Sequence, residues 1–122
     1  LLQSELLSKL RAGKDVLLNV DVQGAATIRA AAEEEPELMR ALVTVFLTTP
    51  SLEVLEARLK KRAADATAVI QKRLAAAKQE VAQWKNFDYL VISTSKQEDL
   101  RRTLAIVEAE KMRVARSHAP EF

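Results

Sequence analysis

The sequence predicts an α/β fold in which a parallel sheet is flanked by helices. Three short apolar segments have the length and residue types of buried strands: residues 16–20, 42–49 and 89–93. Segments whose apolar residues have helical spacing alternate with these strands. Because strands separated by helices pair in parallel through right-handed crossovers, we expect a doubly wound arrangement. In such a sheet, ligands bind at the carboxyl ends of the strands.

The first third of the chain predicts a helix, a strand and a second helix. Three leucines at helical spacing define the first helix: Leu6, Leu7 and Leu10. Gly13 follows as the residue that ends this helix. The run from Val16 to Val20 is expected to be a strand buried on both faces. The second helix continues through Ile28 and ends at the acidic run 33–35, before Pro36.

Three further helices are expected. Ser51 is the predicted N-cap of the third helix, and Asp65 is the predicted N-cap of a long fourth helix. The apolar stripe of the fourth helix is assigned to the core: Ile70, Leu74, Ala77, Val81 and Trp84. The last helix runs from about residue 97 to 116 and presents another apolar stripe: Leu100, Leu104 and Val107.

The composition favours one helix-rich soluble domain and disfavours several kinds of partner. The net charge of the 122 residues is only +2, and the basic residues form no continuous block, so we expect no nucleic acid. The chain has no cysteine, which excludes disulfides and thiolate metal sites. No apolar run approaches the roughly 20 residues that cross a bilayer, so we expect no membrane partner and a cytoplasmic protein. Because the chain begins with Leu1, we expect a piece of a longer protein.

Polar residues follow the first predicted strand at the point where it ends. Asp21 and Gln23 lie where an open parallel sheet binds its ligands, and Gly24 would let the next helix approach closely. A carboxylate at this edge can accept two hydrogen bonds from a guanine, or help to hold a hydrated Mg²⁺. Asp21 and Gln23 can equally cap the following helix. The residues alone leave both interpretations open.

Three arginines lie on the two sides of a predicted break between helices. Arg58 and Arg62 are one helical turn apart before the break, and Arg73 follows it in the long helix. Guanidinium groups that converge from two sides of a hinge can bind phosphate oxygens bidentately and close over them. Alternatively, the three arginines are solvated or paired with Glu56 and Glu80. Charge alone does not decide between these interpretations.

The order and spacing of five segments resemble the C-terminal part of guanylate kinase, the ATP-dependent GMP kinase of the P-loop family. The segments are VLLNVDVQGAATIR, TTPSLEVLEARLKKR, DATAVIQKRLAAAKQE, FDYLVIS and TLAIVEAEKMRVAR. The resemblance covers roughly residues 4–116. It identifies residues 1–122 as the C-terminal part of a guanylate kinase domain, with the lid region at about 60–73. The implied fold is P-loop NTPase-like, present here as a partial domain.

The resemblance also implies roles for individual residues. Asp21 matches the second aspartate of the family's Asp-x-Asp-x-Gln-Gly motif, which is associated with guanine recognition, and Gln23 and Gly24 complete the motif. These three are the expected substrate-binding residues. Three residues match the lid arginines that contact nucleotide phosphates and are the expected catalytic residues: Arg58, Arg62 and Arg73. No residue is assigned to a metal.

The chain departs from the family pattern at several positions. Asn19 replaces the first aspartate of the motif, which removes a charge near the metal and phosphates. Ala63 and Ala64 replace a glycine and a small polar residue in the lid loop. Residues 93–95 read Ser-Thr-Ser where the family has Asn-Asp-Asp near the adenine. The 122 residues include neither a Gly-rich P-loop nor the family's GMP-binding segment, so we expect the chain alone to be inactive.

The resemblance implies transfer of the γ-phosphoryl group of ATP to GMP, giving GDP and ADP, with Mg²⁺ accompanying the ATP. Catalysis in this class is positioning plus electrostatic stabilisation. The alternative is a non-catalytic guanylate-kinase-like module that binds a peptide in the GMP cleft. Asn19 and the serine-rich loop favour the module, whereas retention of all three arginines favours the kinase. A helical interaction fragment without a site would leave the order of the five segments unexplained.

Overall fold

The computed structural model describes residues 3–62 and 67–122. The chain divides between Val43 and Thr44 into two compact units. The predicted N-cap Asp65 and the predicted break at Ala63 and Ala64 lie outside the described residues. None of the helices in the two described ranges has the length and hydropathy that a membrane crossing requires.

The first unit contains three helices in its described part: α1 (Gln3–Arg11), α2 (Val22–Glu33) and α3 (Pro36–Ala41). Gly13 follows α1 with φ +79, which confirms the predicted helix end. A small core joins the three helices through Leu6, Leu7, Ala32 and Leu38. On the surface, Arg11 donates to both oxygens of Glu37 at 2.8 and 2.9 Å. The sequence did not predict α3, which begins with Pro36 in the first helical turn and with Glu35 as its N-cap.

The predicted strand Val16–Val20 does not form. No strand is assigned to these residues, and Leu17 is 85% exposed, so the prediction of burial on both faces is also wrong. A strand needs a hydrogen-bonded neighbour, and the described part of the first unit contains only helices and connecting segments. The apolar residues of the segment are therefore not sufficient to make it a strand within this unit.

The second unit is built on a parallel pair of strands, β1 (Val45–Thr48) and β2 (Tyr89–Ile92). Val45 pairs with Tyr89 and Thr48 pairs with Ile92. Asp88 secures the start of this pair, because its Oδ2 accepts bonds from the Thr44 N–H at 2.8 Å and the Thr44 hydroxyl at 3.1 Å. These strands and their flanking helices confirm the predicted α/β class and the parallel pairing.

Three α-helices flank the strands in the described part of the second unit: α4 (Leu52–Arg62), α5 (Thr67–Glu80) and α6 (Lys96–Lys111). A 3₁₀ helix, Val81–Asn86, continues α5, and another, Val114–Arg116, follows α6. Ser51 caps α4 as predicted, since its Oγ accepts a bond of 3.1 Å from the Val54 N–H. α4 follows β1 directly and α6 follows β2 directly, so both helices begin at the carboxyl ends of the strands.

The apolar stripes of the two long helices are only partly buried. Ile70 is buried as predicted, but Val81 and Trp84 are 41% and 42% exposed, so their assignment to the core is wrong. Both residues lie in the 3₁₀ helix that continues α5 after Glu80, where three residues per turn replace the spacing on which the predicted stripe was based. The stripe of α6 is also exposed, Leu100 at 59%.

Glu110 ties the end of α6 to β2. Its carboxylate is buried and accepts hydrogen bonds from Tyr89, from Arg113 at 2.9 Å and from Arg116 at 2.9 Å. The Tyr89 hydroxyl is the largest cause of a lowered pKa for Glu110, and Arg113 and Arg116 lower it further. This cluster is part of the framework of the second unit.

Candidate functional site

Asp21 is the N-cap of α2. Its Oδ1 accepts a hydrogen bond of 2.7 Å from the Gly24 N–H, and its carbonyl oxygen accepts one of 2.9 Å from the Ala25 N–H. The capping interpretation is therefore correct for Asp21. A carboxylate offers about four acceptor positions, and the cap uses one of them. The side chain is exposed, so its other oxygen is available to a ligand as well.

Gly24 allows the capping carboxylate to approach the helix. A Cβ at position 24 would lie 3.1 Å from Asp21 Oδ1 and 3.1 Å from Val20 Cβ, which is tighter than ordinary contact. The expected close approach thus exists, but it is made by the cap rather than by a neighbouring helix. Gln23 is exposed in the same first turn, and its carbonyl oxygen accepts a bond of 3.1 Å from the Thr27 hydroxyl.

A cavity of ≈ 650 Å³ opens in the second unit at the carboxyl ends of the strands. Thr49, which follows β1, and Ser93, Thr94 and Ser95, which follow β2, line it. Its charged lining consists of four basic residues and one acidic residue: Arg58, Lys61, Arg62, Lys96 and Asp99. The position agrees with the general rule for ligands of parallel sheets, and the lining favours an anionic ligand.

Arg58 is fixed at this cavity by the loop after β2. Its Nη1 donates to Ser93 Oγ at 2.8 Å, and its Nη2 donates to the Thr94 carbonyl oxygen at 3.0 Å. The predicted alternative of pairing with Glu56 is wrong for Arg58, because Glu56 is paired with Lys60 at 2.8 Å. Glu56 therefore forms an i, i+4 ion pair with Lys60 on the helix surface, and Arg58 bonds to the loop after β2.

Asp99 completes the loop from α6. Its Oδ2 accepts the Ser93 hydroxyl at 2.5 Å, and its Oδ1 accepts the Thr94 N–H at 3.0 Å. The bond from Ser93 is the main cause that holds the pKa of Asp99 below its usual value, followed by the bond from Thr94. The positive charges of Arg58 and Arg102 lower this pKa further. Asp99 is therefore a carboxylate at neutral pH.

Two of the three predicted arginines lie at the cavity. Arg58 and Arg62 line it from α4, whereas the exposed Arg73 on α5 is not among the lining residues. The four residues of the predicted lid between α4 and α5 lie outside the description. The joint action of Arg58, Arg62 and Arg73 on one ligand stays a prediction.

The profile of the guanylate kinase family matches residues 3–110, which is most of the chain. The chain belongs to the guanylate kinase family. Among curated relatives, it is 41% identical over 107 residues to the guanylate kinase of Coxiella burnetii, a match that covers 88% of the chain and 48% of the relative. It is 41% identical over 110 residues to the guanylate kinase of Alcanivorax borkumensis, covering 90% of the chain and 50% of the relative.

A more distant relative gives the same result. The guanylate kinase of Maricaulis maris is 33% identical over 111 residues, covering 91% of the chain and 48% of the relative. The chain thus spans about half the length of the curated guanylate kinases that it matches.

At position 19, which the resemblance places near the metal, the chain has an amide in place of a carboxylate. Asn19 lies exposed in the segment before Asp21, where the family motif has an aspartate. Within the two described ranges, no group of three or more histidine, aspartate or glutamate residues is placed to hold a metal ion.

Sequence reasoning missed three charged residues at the cavity: Lys61, Lys96 and Asp99. Lys61 directly precedes the predicted Arg62 in α4, but consecutive residues of a helix do not face the same direction, so nothing in the sequence indicated it. Asp99 gave a weak signal, because Ser95 and Glu98 match a capping box that places α6 immediately after the loop. An aspartate in the first turn of that helix is within reach of the loop, as the bonds to Ser93 and Thr94 show.

Proposed function

We propose that the protein to which this chain belongs transfers the γ-phosphoryl group of ATP to GMP, giving ADP and GDP. The basic cavity at the carboxyl ends of β1 and β2 carries this proposal. Four cations and one carboxylate line it, a balance that suits a ligand with several negative phosphate oxygens. The names of the curated relatives supply the specific reaction.

The proposed roles divide between the two units. In the first unit, Asp21 recognises guanine through the acceptor positions that its cap leaves unused, and Gly24 keeps the carboxylate in place. Gln23 is the third substrate-binding residue. In the second unit, Arg58 and Arg62 bind phosphate oxygens and stabilise the charge of the transferring group, with Arg73 as the third arginine. No covalent protein intermediate is required, because phosphoryl transfer depends on positioning and electrostatics.

Mg²⁺ is proposed to arrive with ATP, bound mainly by phosphate oxygens and water, which is the usual mode for this ion at nucleotide sites. When bound, it neutralises charge on the phosphates. The cytoplasm, where both nucleotides are available, is the proposed location.

The test is nucleotide-dependent formation of ADP by the full-length protein. The purified protein is mixed with ATP, Mg²⁺ and one of GMP, AMP or UMP, and ADP is measured with a coupled assay. We expect ADP formation with GMP at a turnover of about 1–100 s⁻¹, and little with AMP or UMP. A folded full-length protein that binds neither nucleotide and forms no ADP would contradict the proposal and favour the peptide-binding module.

A further inference from the structure

Asp99 and Arg58 are joined through the same two residues of the loop after β2. Asp99 accepts from the Ser93 hydroxyl at 2.5 Å and from the Thr94 N–H at 3.0 Å. Arg58 donates to the Ser93 oxygen at 2.8 Å and to the Thr94 carbonyl at 3.0 Å. All four residues line the basic cavity. A change at Asp99 therefore acts on both groups that hold the Arg58 guanidinium.

The direction of the hydrogen bonds gives Asp99 a specific task. A serine hydroxyl has one proton, and an arginine can only donate, so Ser93 must present a lone pair to Arg58. It does so because its own proton goes to the Asp99 carboxylate. Ser93 is only 7% exposed, so water cannot readily replace that carboxylate as the acceptor. With the carboxylate in place, the hydroxyl is fixed as an acceptor for the guanidinium.

We propose that Asp99 is a positioning residue that holds the Arg58 guanidinium, through Ser93 and Thr94, in the orientation that binds the phosphates of ATP. This inference rests on the proposed function. The loop takes two of the five N–H groups of Arg58, which leaves three for phosphate oxygens. An arginine held at two points loses less conformational entropy when it binds a ligand than one that is free to rotate.

A double-mutant cycle tests the inference in the full-length protein. Asp99→Asn, Arg58→Ala and the double variant are compared for the dissociation constant of ATP, measured by calorimetry, and for turnover with GMP. In the wild-type background, Asp99→Asn should weaken ATP binding about tenfold, the scale of one charge-assisted hydrogen bond. In the Arg58→Ala background, the same change should cost less than about twofold, because the group that Asp99 positions is gone.

A matched control and a second variant separate positioning from folding. Asp88→Asn removes a carboxylate that also binds one backbone N–H and one hydroxyl, but Asp88 does not line the cavity. It should leave ATP affinity unchanged while affecting thermal stability. Ser93→Ala should reproduce the loss of Asp99→Asn, again only when Arg58 is present, and it keeps the inference testable if Asp99→Asn does not fold.

The possible outcomes distinguish the positioning role from the proposed function. Equal costs of Asp99→Asn with and without Arg58, or an equal loss of ATP affinity in Asp88→Asn, would overturn the positioning role. If the variants show coupled losses of ATP affinity but the wild-type protein does not phosphorylate GMP, the positioning role is supported and the proposed function is overturned. A wild-type protein that neither binds ATP nor forms ADP would overturn both.

Discussion

Replacing Asp21 by asparagine and by alanine separates its capping role from its proposed role in guanine recognition. The cap is a single hydrogen bond of 2.7 Å from the Gly24 N–H to Oδ1. Asparagine has one side-chain oxygen, which can make this bond, and ranks with aspartate as an N-cap. It lacks the negative charge and the second acceptor oxygen that two guanine N–H groups require. Alanine removes both the cap and the recognition.

The expected magnitudes differ enough to be resolved. Asp21→Ala should lower the free energy of unfolding by about 1 kcal/mol, and Asp21→Asn should change it by less than about 0.5 kcal/mol. Loss of a charged hydrogen-bonding partner costs about 1.5–3 kcal/mol, so both variants should raise the Michaelis constant for GMP at least tenfold. The Michaelis constant for ATP should stay nearly unchanged in both.

The assay is steady-state kinetics of the full-length variants, with one nucleotide varied at saturating concentrations of the other, and denaturant unfolding of the same preparations. If Asp21→Asn binds GMP normally, the carboxylate serves only as a helix cap and the assignment of guanine recognition is wrong. Equal effects of Asp21→Ala on both Michaelis constants would lead to the same conclusion.

Three other predictions concern the proposed lid arginines, Gly24 and Glu110. Arg62→Lys and Arg73→Lys should each lower turnover about 10²-fold, because lysine lacks the planar bidentate fork of arginine. The exposed control Arg40→Lys should keep normal turnover, and near-normal turnover in both Arg62→Lys and Arg73→Lys would contradict the lid assignment. Gly24→Ala should raise the Michaelis constant for GMP with little change in stability, since the added Cβ would lie 3.1 Å from the capping carboxylate of Asp21. An unchanged Michaelis constant for GMP would show that the capping carboxylate tolerates the added Cβ. Glu110→Gln should be less stable than wild type above pH 4.5, which is the ordinary pKa of the carboxyl group. The difference should vanish as the pH falls through the lowered pKa of Glu110 in the folded protein, because the wild-type carboxylate then loses its charge as well. A difference in melting temperature that stays constant from pH 7 to 3 would refute this prediction.

Several local features of this chain could be predicted from its sequence, whereas some features that depend on distant residues could not. The cap at Ser51 and the helix end at Gly13 require only a few neighbouring residues, and both are confirmed. The strand at 16–20 requires a partner strand, which the composition of the segment cannot supply. The change from α5 to a 3₁₀ helix after Glu80 is likewise not marked by the spacing of the apolar residues.

The same distinction applies to the candidate site. The sequence placed Arg58 and Arg62 on one helix, one turn apart, and the structure brings both to one cavity. It could not give the partners of Arg58, because Ser93 and Thr94 are 35 and 36 residues away along the chain. Glu56 is much closer in sequence, but residues two apart on a helix do not face each other, and Glu56 pairs with Lys60 instead.

The connections of the sheet are a second feature that favours an anionic ligand at the cavity. β1 leads directly into α4 and β2 directly into α6, so parallel strands bring two helix N-termini to the same edge. A helix N-terminus carries a partial positive charge, and Ser95 and Lys96 at the start of α6 line the cavity. This contribution adds to that of the four cationic side chains and does not depend on any one of them. Replacing a single lysine should therefore weaken ATP binding modestly, whereas disturbing the loop that joins β2 to α6 acts on the helix start and on Arg58 together.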